Sequence, residues 1–165
     1  MGEAKVGGEF VTHEFDEAIA IQRSIVKAED SLATTHPMSS AKQAIKSALT
    51  EDRRFLKQLE TMGKEHDASG KVEDVAAGLT ELMSQTLDSA TSERADSAYY
   101  EAHAVLLNLK RKQMDSAGGM RKIASALKDK QMRTAATEFE RAQRASSRTL
   151  ATELATYAKT ITTAG

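Results

Sequence analysis

The sequence contains no cysteine and only one proline, Pro37, among its 165 residues. Without cysteine, disulfide bonds, thiolate catalysis and cysteine-ligated zinc sites are excluded. A single proline leaves long stretches without a helix breaker, and Ala, Leu, Glu, Lys, Gln and Met, all good helix formers, are abundant. The composition therefore predicts an all-α protein, and its length suits one domain.

Motifs typical of membrane proteins, secreted proteins and enzymes are also missing. No apolar run approaches the ~18 residues of a membrane span, and residues 1–10 lack the apolar core of a secretory signal. The sequence has no glycine-rich phosphate loop, no Gly-x-Ser-x-Gly, no His-Glu-x-x-His, and no serine with a histidine at an activating spacing. We therefore expect a cytoplasmic protein that is not an enzyme, needs no cofactor and does not contact a membrane.

Apolar residues recur at the spacing of an α-helix from Phe10 onward. The glycine-rich segment 1–9 before it is predicted to be flexible. The first helix is expected to end at Pro37, because the residue before a proline avoids the helical region. Ser39 or Ser40 is expected to cap the second helix.

Breaks in the pattern divide the rest of the chain. The second helix is predicted to fade after Gly63, and the segment 67–90 contains a shorter helix. A third long helix is predicted to stop at Gly118-Gly119, since glycine favours helix C-termini. The remainder reads as helical, with a second break expected within residues 128–130.

This order of elements predicts an antiparallel four-helix bundle over residues 10–165. Short connections make helices one and two, and helices three and four, antiparallel neighbours in two helical hairpins. A long helical middle connection joins the hairpins. The predicted fold class is thus all-α, in a single domain.

Four polar residues interrupt the apolar stripes of the predicted helices, namely Gln22, Glu29, Asp52 and His103. An unpaired buried charge costs several kcal/mol, so these residues need partners if they face the core. We expect a buried Asp52–His103 contact, bridged by Gln22, in a polar layer that fixes helix register. Two alternatives stay open: a metal site of Asp52 and His103 with Glu29 or Glu101, or a stripe that faces water instead.

Charge is divided unequally along the chain. Residues 1–100 hold 11 basic and 18 acidic residues, a balance of −7, whereas residues 101–165 hold 12 basic and 6 acidic residues, a balance of +6. The favoured interpretation is that the acidic half packs against the basic half or against a second copy. The alternative is a nucleic-acid-binding face, which has no interleaved aromatic residues to support it. That face would comprise Lys110, Arg111, Lys112, Arg121, Lys122, Arg133, Arg141, Arg144 and Arg148.

Three segments resemble those of the ferritin-like four-helix-bundle superfamily, and its small bacterial stress-associated members in particular. They are Phe15-Asp16-Glu17-Ala18, Glu51-Asp52-Arg53-Arg54-Phe55-Leu56 and Ala98-Tyr99-Tyr100-Glu101-Ala102-His103. The resemblance covers about residues 10–160 and implies two helical hairpins joined by a long connection.

The chain departs from that superfamily at its metal ligands. Di-iron members place Glu-x-x-His on two helices, and no Glu-x-x-His occurs in this sequence. Glu51-x-x-Arg54 and Glu138-x-x-Arg141 stand at comparable points, and arginine stays protonated and cannot bind iron. Ferroxidase activity is therefore not expected.

These observations predict a non-catalytic helical bundle that acts by binding itself or another protein, in keeping with a stress-related role. The alternative is a ferritin-like protein with a reduced ligand set, which would bind Fe, Mn or Zn at Asp52, His103 and Glu29. Nucleic acid is not expected as a partner.

Overall fold

A computed structural model describes residues 2–71, 78, 81, 82, 85, 88 and 95–164. These residues contain four long helices and no strand. The helices are α1 (Gly2–Thr35), α2 (Ser39–Lys64), α3 (Ala95–Ala126) and α4 (Lys130–Ala164). The predicted all-α class is thus confirmed for this part of the chain. Most of the middle connection predicted to be helical lies outside the described residues.

Packing between the helices is compatible with a bundle. Helix α1 contacts α2 and α3, and helix α4 contacts α2 and α3. Across the described ranges, none of the helices is both long and apolar enough to cross a membrane.

The first helix begins at Gly2, well before the start predicted at Phe10. Gly7 and Gly8 are therefore inside α1, although each glycine costs about 1 kcal/mol relative to alanine in a helix. Strong helix formers such as Ala4 and Glu9 flank them and offset part of this cost.

The turn between α1 and α2 comes where the proline predicts it, but its cap differs from the prediction. Met38 occupies the N-cap position of α2 and makes no side-chain capping bond. The Met38 N–H instead donates to Nδ1 of His36 at 3.1 Å. Ser40 does not cap the helix, because its hydroxyl donates to Glu153 at 2.7 Å. No side chain therefore caps α2 as expected of Ser39 or Ser40, and the buried imidazole of His36 binds the turn before the helix.

The predicted stop at Gly118-Gly119 is wrong, because α3 continues through both glycines. Neither has the positive φ that makes glycine a helix terminator. The chain turns later, at Lys128, whose φ is 57°. Oδ1 of Asp129 then accepts the Met132 N–H at 3.0 Å and caps α4. The break expected within residues 128–130 is confirmed.

Two apolar clusters form the core. One contains Ile21, Ile25, Ala28, Leu32, Ala33, Ile45, Leu49, Ala102, Val105, Leu106, Leu107, Leu109 and Leu150. The other contains Val11, Phe15, Ala18, Ile19, Phe55, Leu59, Ala68, Ala117, Met120, Ala124, Met132, Ala136 and Phe139. Between the clusters, each helix contributes buried polar side chains, so the core is divided by a polar layer.

Gly119, one of the two glycines inside α3, gives a test of the helix boundary. A Cβ at Gly119 meets nothing within 4 Å, so Gly119→Ala should raise the free energy of unfolding by about 0.5–1 kcal/mol. Gly70→Ala should do the opposite, because Gly70 has φ +76° and a Cβ there would lie 2.6 Å from Ile19 and Arg23. Urea unfolding of both variants is the measurement. Destabilisation by Gly119→Ala would place the helix end at the glycines after all.

Candidate functional site

The polar layer is organised around Asp52 of α2. Its Oδ1 accepts hydrogen bonds from Nε2 of Gln22 at 3.2 Å and from Nε2 of Gln143 at 2.5 Å. Its Oδ2 lies 2.5 Å from Nζ of Lys110. The Gln22 amide also donates to the Asp52 main-chain oxygen at 2.9 Å. The carboxylate is therefore held by one side chain from each of the other three helices.

Lys110 has no solvent exposure, and its charge is balanced inside the core. Its Nζ contacts Asp52 and lies 3.5 Å from Oε2 of Glu29. Burial alone would raise the pKa of Asp52, but the Lys110 ammonium, the neighbouring Glu29 carboxyl group and the amide of Gln143 together hold that pKa below its ordinary value. Asp52 and Lys110 therefore form a buried ion pair.

Glu29 is the second carboxyl group beside the Lys110 ammonium, and its surroundings differ from those of Asp52. Neither of its oxygens forms a hydrogen bond, although both are buried. Burial raises the pKa of Glu29 well above its usual range, and the neighbouring charge of Asp52 raises it further against the opposing effect of Lys110. Burial of Glu29 therefore favours its protonated form, whereas the groups around Asp52 favour its charged form.

A chain of amides connects this centre to α3. Nε2 of Gln113 donates to the Ala18 carbonyl at 2.8 Å and to Oε1 of Gln22 at 3.0 Å. The side-chain oxygen of Gln22 accepts the hydrogen bond from Gln113, so the NH₂ group of Gln22 points at Asp52. These two bonds fix the orientation of the Gln22 amide. Three buried oxygens nearby have no partner, namely those of the Gln113, Gln143 and Ser147 side chains.

A second buried polar group joins His36 and His103. Because Nδ1 of His36 accepts the Met38 N–H, a neutral ring carries its proton on Nε2 and donates to Nδ1 of His103 at 3.1 Å. Nε2 of His103 in turn donates to the Leu150 carbonyl at 2.9 Å. Both rings are satisfied in the neutral form, and the chain of bonds ties the α1–α2 turn to α3 and α4.

The environment of the two histidines disfavours protonation. Burial, together with the charges of His103 and Lys42, lowers the pKa of His36 to about 4. Burial also lowers the pKa of His103, although Glu153 and the Leu150 carbonyl act in the opposite direction. The rings of Tyr99 and Tyr157 pack beside His36. A second proton on either ring would make two hydrogen-bond donors face each other.

The sequence-based prediction for these residues is partly confirmed. Gln22, Glu29, Asp52 and His103 are all buried, and Gln22 binds Asp52 as expected. The expected Asp52–His103 contact is wrong, because His103 binds His36 and Leu150 instead. A third helix that stops at Gly118 has its middle near His103, whereas α3 extends to Ala126 and brings Lys110 to the level of Asp52.

The structure does not gather Asp52, His103 and Glu29 into one ligand set. Asp52 and Glu29 surround the Lys110 ammonium, which already supplies a cation, so the residues at this centre do not fit the metal pair that the ferritin-like resemblance implies. The alternative ligand Glu101 is exposed.

A different cluster within the described residues has metal-compatible spacing. His13, Glu14 and Glu17 can bring three donor atoms within 4.8 Å of one another on the surface of α1. An oxygen of Glu17 is already 2.5 Å from the ammonium of Lys112.

Four residues of the two polar groups were missed from the sequence: Lys110, Gln113, Gln143 and His36. The alternative of a nucleic-acid-binding face places Lys110 on the surface, and its complete burial excludes it from such a face. A signal existed, since Lys110 lies seven residues after His103 on the same helical face and Gln113 continues the stripe. Gln143 carries the same signal, since it lies four residues after Phe139 and seven before Leu150. His36 carries none, because it stands at the turn before Pro37.

Comparison with known proteins adds no relative. No protein-family model, curated protein or solved structure matches this chain. The function must therefore be inferred from the residues themselves.

The ion pair makes a prediction about stability. Lys110→Met leaves the Asp52 carboxylate buried without its counter-ion and should lower the free energy of unfolding by about 3–5 kcal/mol. Adding Asp52→Asn removes that stranded charge, so the double variant should be more stable than Lys110→Met by about 1–2 kcal/mol. Urea unfolding at pH 7 measures both. A double variant no more stable than the single one would show that Asp52 is not ionised in the core.

The histidine pair predicts sensitivity to acid. In the unfolded chain His36 takes up a proton near its ordinary pKa of 6.5, whereas in the folded chain its pKa is about 4. Stability from the neutral ring is therefore complete above pH 6.5 and is lost as the pH falls toward 4. Between pH 7 and pH 5, wild type should lose about 1–2 kcal/mol more than His36→Gln in urea unfolding. Exposed His13→Gln is the control, and an equal loss in wild type and His36→Gln would refute the assignment.

Proposed function

We propose that this chain is a non-catalytic helical bundle that acts by self-association, through contact between a basic groove on one copy and an acidic groove on the next. The observation that carries the proposal is a cluster of arginines on α3 and α4. Oppositely charged surfaces on one molecule favour head-to-tail contacts between copies.

The basic groove has a volume of about 310 Å³ and lies between the two helices of the basic half. Arg111, Arg144 and Arg148 line it, with Met114 and Ala151 forming its apolar part. Arg144 pairs with Glu140 at 3.2 Å, whereas Arg111 and Arg148 form no ion pair within the described ranges. Two guanidinium groups are therefore available for a partner's carboxylates, which they bind in bidentate fashion.

Ser147 also lines the basic groove. Its Oγ is buried and has no hydrogen-bond partner. Unsatisfied buried polar atoms are uncommon in folded proteins, and this one adds a polar atom to the wall of the groove.

The matching surface is an open groove of about 570 Å³ between α1 and the residues that follow α2. Its carboxylates belong to Glu9, Asp16, Glu65 and Asp67. Asp16 already accepts the Ser69 and Gly70 N–H groups, so the other three carry the attraction. Because the two grooves differ, association through them joins unlike surfaces and forms a ring or an open chain.

As part of the same proposal, the four helices form two antiparallel hairpins with a ferritin-like arrangement. Contacts from α1 toward α2 support this, since Thr12 binds the His66 carbonyl and Gln22 binds Asp52. A stress-related role would follow from the resemblance in sequence pattern, without ferroxidase chemistry.

Sedimentation velocity over a range of protein and salt concentrations tests the association. We expect oligomers that grow with protein concentration at low salt and dissociate as salt rises, because exposed charges are screened. Arg111→Glu/Arg148→Glu should abolish them. Lys46→Glu/Lys57→Glu on α2 makes the same change in net charge away from the groove and should leave oligomers intact.

A strict monomer at every protein and salt concentration would refute the proposal, as would equal loss of oligomers in both double variants. Salt-sensitive binding of a random DNA duplex that requires Arg111 and Arg148 would instead assign the groove to nucleic acid.

A further inference from the structure

The environment of Lys110 has the features of a reaction centre as well as an ion pair. The Lys110 amine and the Asp52 carboxyl group are in contact at 2.5 Å, with almost no exposure to water. They belong to α3 and α2 and are 58 residues apart in sequence. Ordinary buried ion pairs do not need a third ionisable group, yet Glu29 lies 3.5 Å from the same amine with both oxygens unbonded.

We propose that Lys110 and Asp52 condense to form an intramolecular isopeptide bond between α3 and α2, with Glu29 as the acid–base group. The reaction occurs once in each folded chain and involves no other molecule as reactant. It is independent of the association proposed above.

The contacts around Asp52 supply the groups that amide formation requires. In the first step a proton passes from Nζ of Lys110 to Oδ2 of Asp52, which gives a neutral amine and a neutral carboxyl group. The amine then attacks Cγ of Asp52, and the negative charge develops on Oδ1. The Gln22 and Gln143 amides already donate to that oxygen, at 3.2 and 2.5 Å, and they stabilise the charge as an oxyanion hole does.

Glu29 completes the proton transfers. Its carboxyl group gives a proton to the departing Oδ2 hydroxyl, which leaves as water, and recovers one from Nζ. The Nζ–Cγ bond forms, the Cγ–Oδ2 bond breaks, and Glu29 ends as it began. An ammonium and a carboxylate become one amide and one water. Burial raises the pKa of Glu29 and so favours the protonated form that this role requires.

Burial favours the product over the ion pair. Two charges held in the core carry a desolvation cost, whereas the amide is neutral and can accept the same hydrogen bonds from Gln22 and Gln143. Proximity also favours the condensation, because packing on both helices holds the amine and the carboxyl group in contact.

Intact-protein mass spectrometry of the purified full-length chain tests the proposal. We expect wild type to be lighter than the mass calculated from its sequence by one water, either on purification or after prolonged incubation at neutral pH. Glu29→Gln keeps the shape of the protonated side chain and should fold, as judged by circular dichroism, and yet retain the full mass. Lys110→Met should also retain the full mass.

Tryptic mapping identifies the bond. An acylated Lys110 is no longer a trypsin site, so residues 95–111 should appear as one peptide joined to residues 47–53. Wild type with the full calculated mass after incubation would overturn the proposal. So would a water lost elsewhere with Lys110 still cleaved by trypsin, or the same mass loss in Glu29→Gln.

Discussion

The contact between Lys110 and Asp52 is the interaction on which the rest of the interior depends. A buried ammonium is tolerated only with a counter-charge, and a buried carboxylate only with donors on its remaining lone pairs. Asp52 supplies the counter-charge for Lys110, while Gln22 and Gln143 donate hydrogen bonds to the Asp52 carboxylate. Each of the four helices is thereby required to present one particular side chain at one particular height. Apolar packing alone would allow one helix to slide along another, whereas the specific polar contacts of this layer do not.

The same layer divides the core into two apolar clusters. The desolvation cost of the buried charges is thereby confined to one level of the core. A separate pair, His36 and His103, ties the first turn of the chain to α3 and α4 through neutral rings. The interior therefore contains two groups with opposite requirements. The groups at the Asp52 centre meet as opposite charges, whereas the rings of the histidine pair need to remain uncharged. Partner recognition in our account belongs to the surface, where Arg111 and Arg148 form no ion pair with any residue that the structure describes.

Much of the fold could be read from the sequence, because helix formation depends on local pattern. The four helices and the break before Lys130 follow from periodicity. The stop at Gly118 failed because glycine ends a helix only where φ is positive, and tertiary contacts carry α3 past it. Gln22 and Asp52 were found as interruptions of apolar stripes. Their partners were not all found, since a lysine reads as a surface residue until its counter-charges are brought to it by the fold.

A high-resolution crystal structure of the layer tests the central claim most directly. Our account predicts that Nζ of Lys110 lies inside the core, in contact with Asp52 at about 3 Å or bonded to it, with Glu29 beside it. Density for a metal ion between Asp52 and Glu29, or Lys110 extended to solvent with water in its place, would contradict the account.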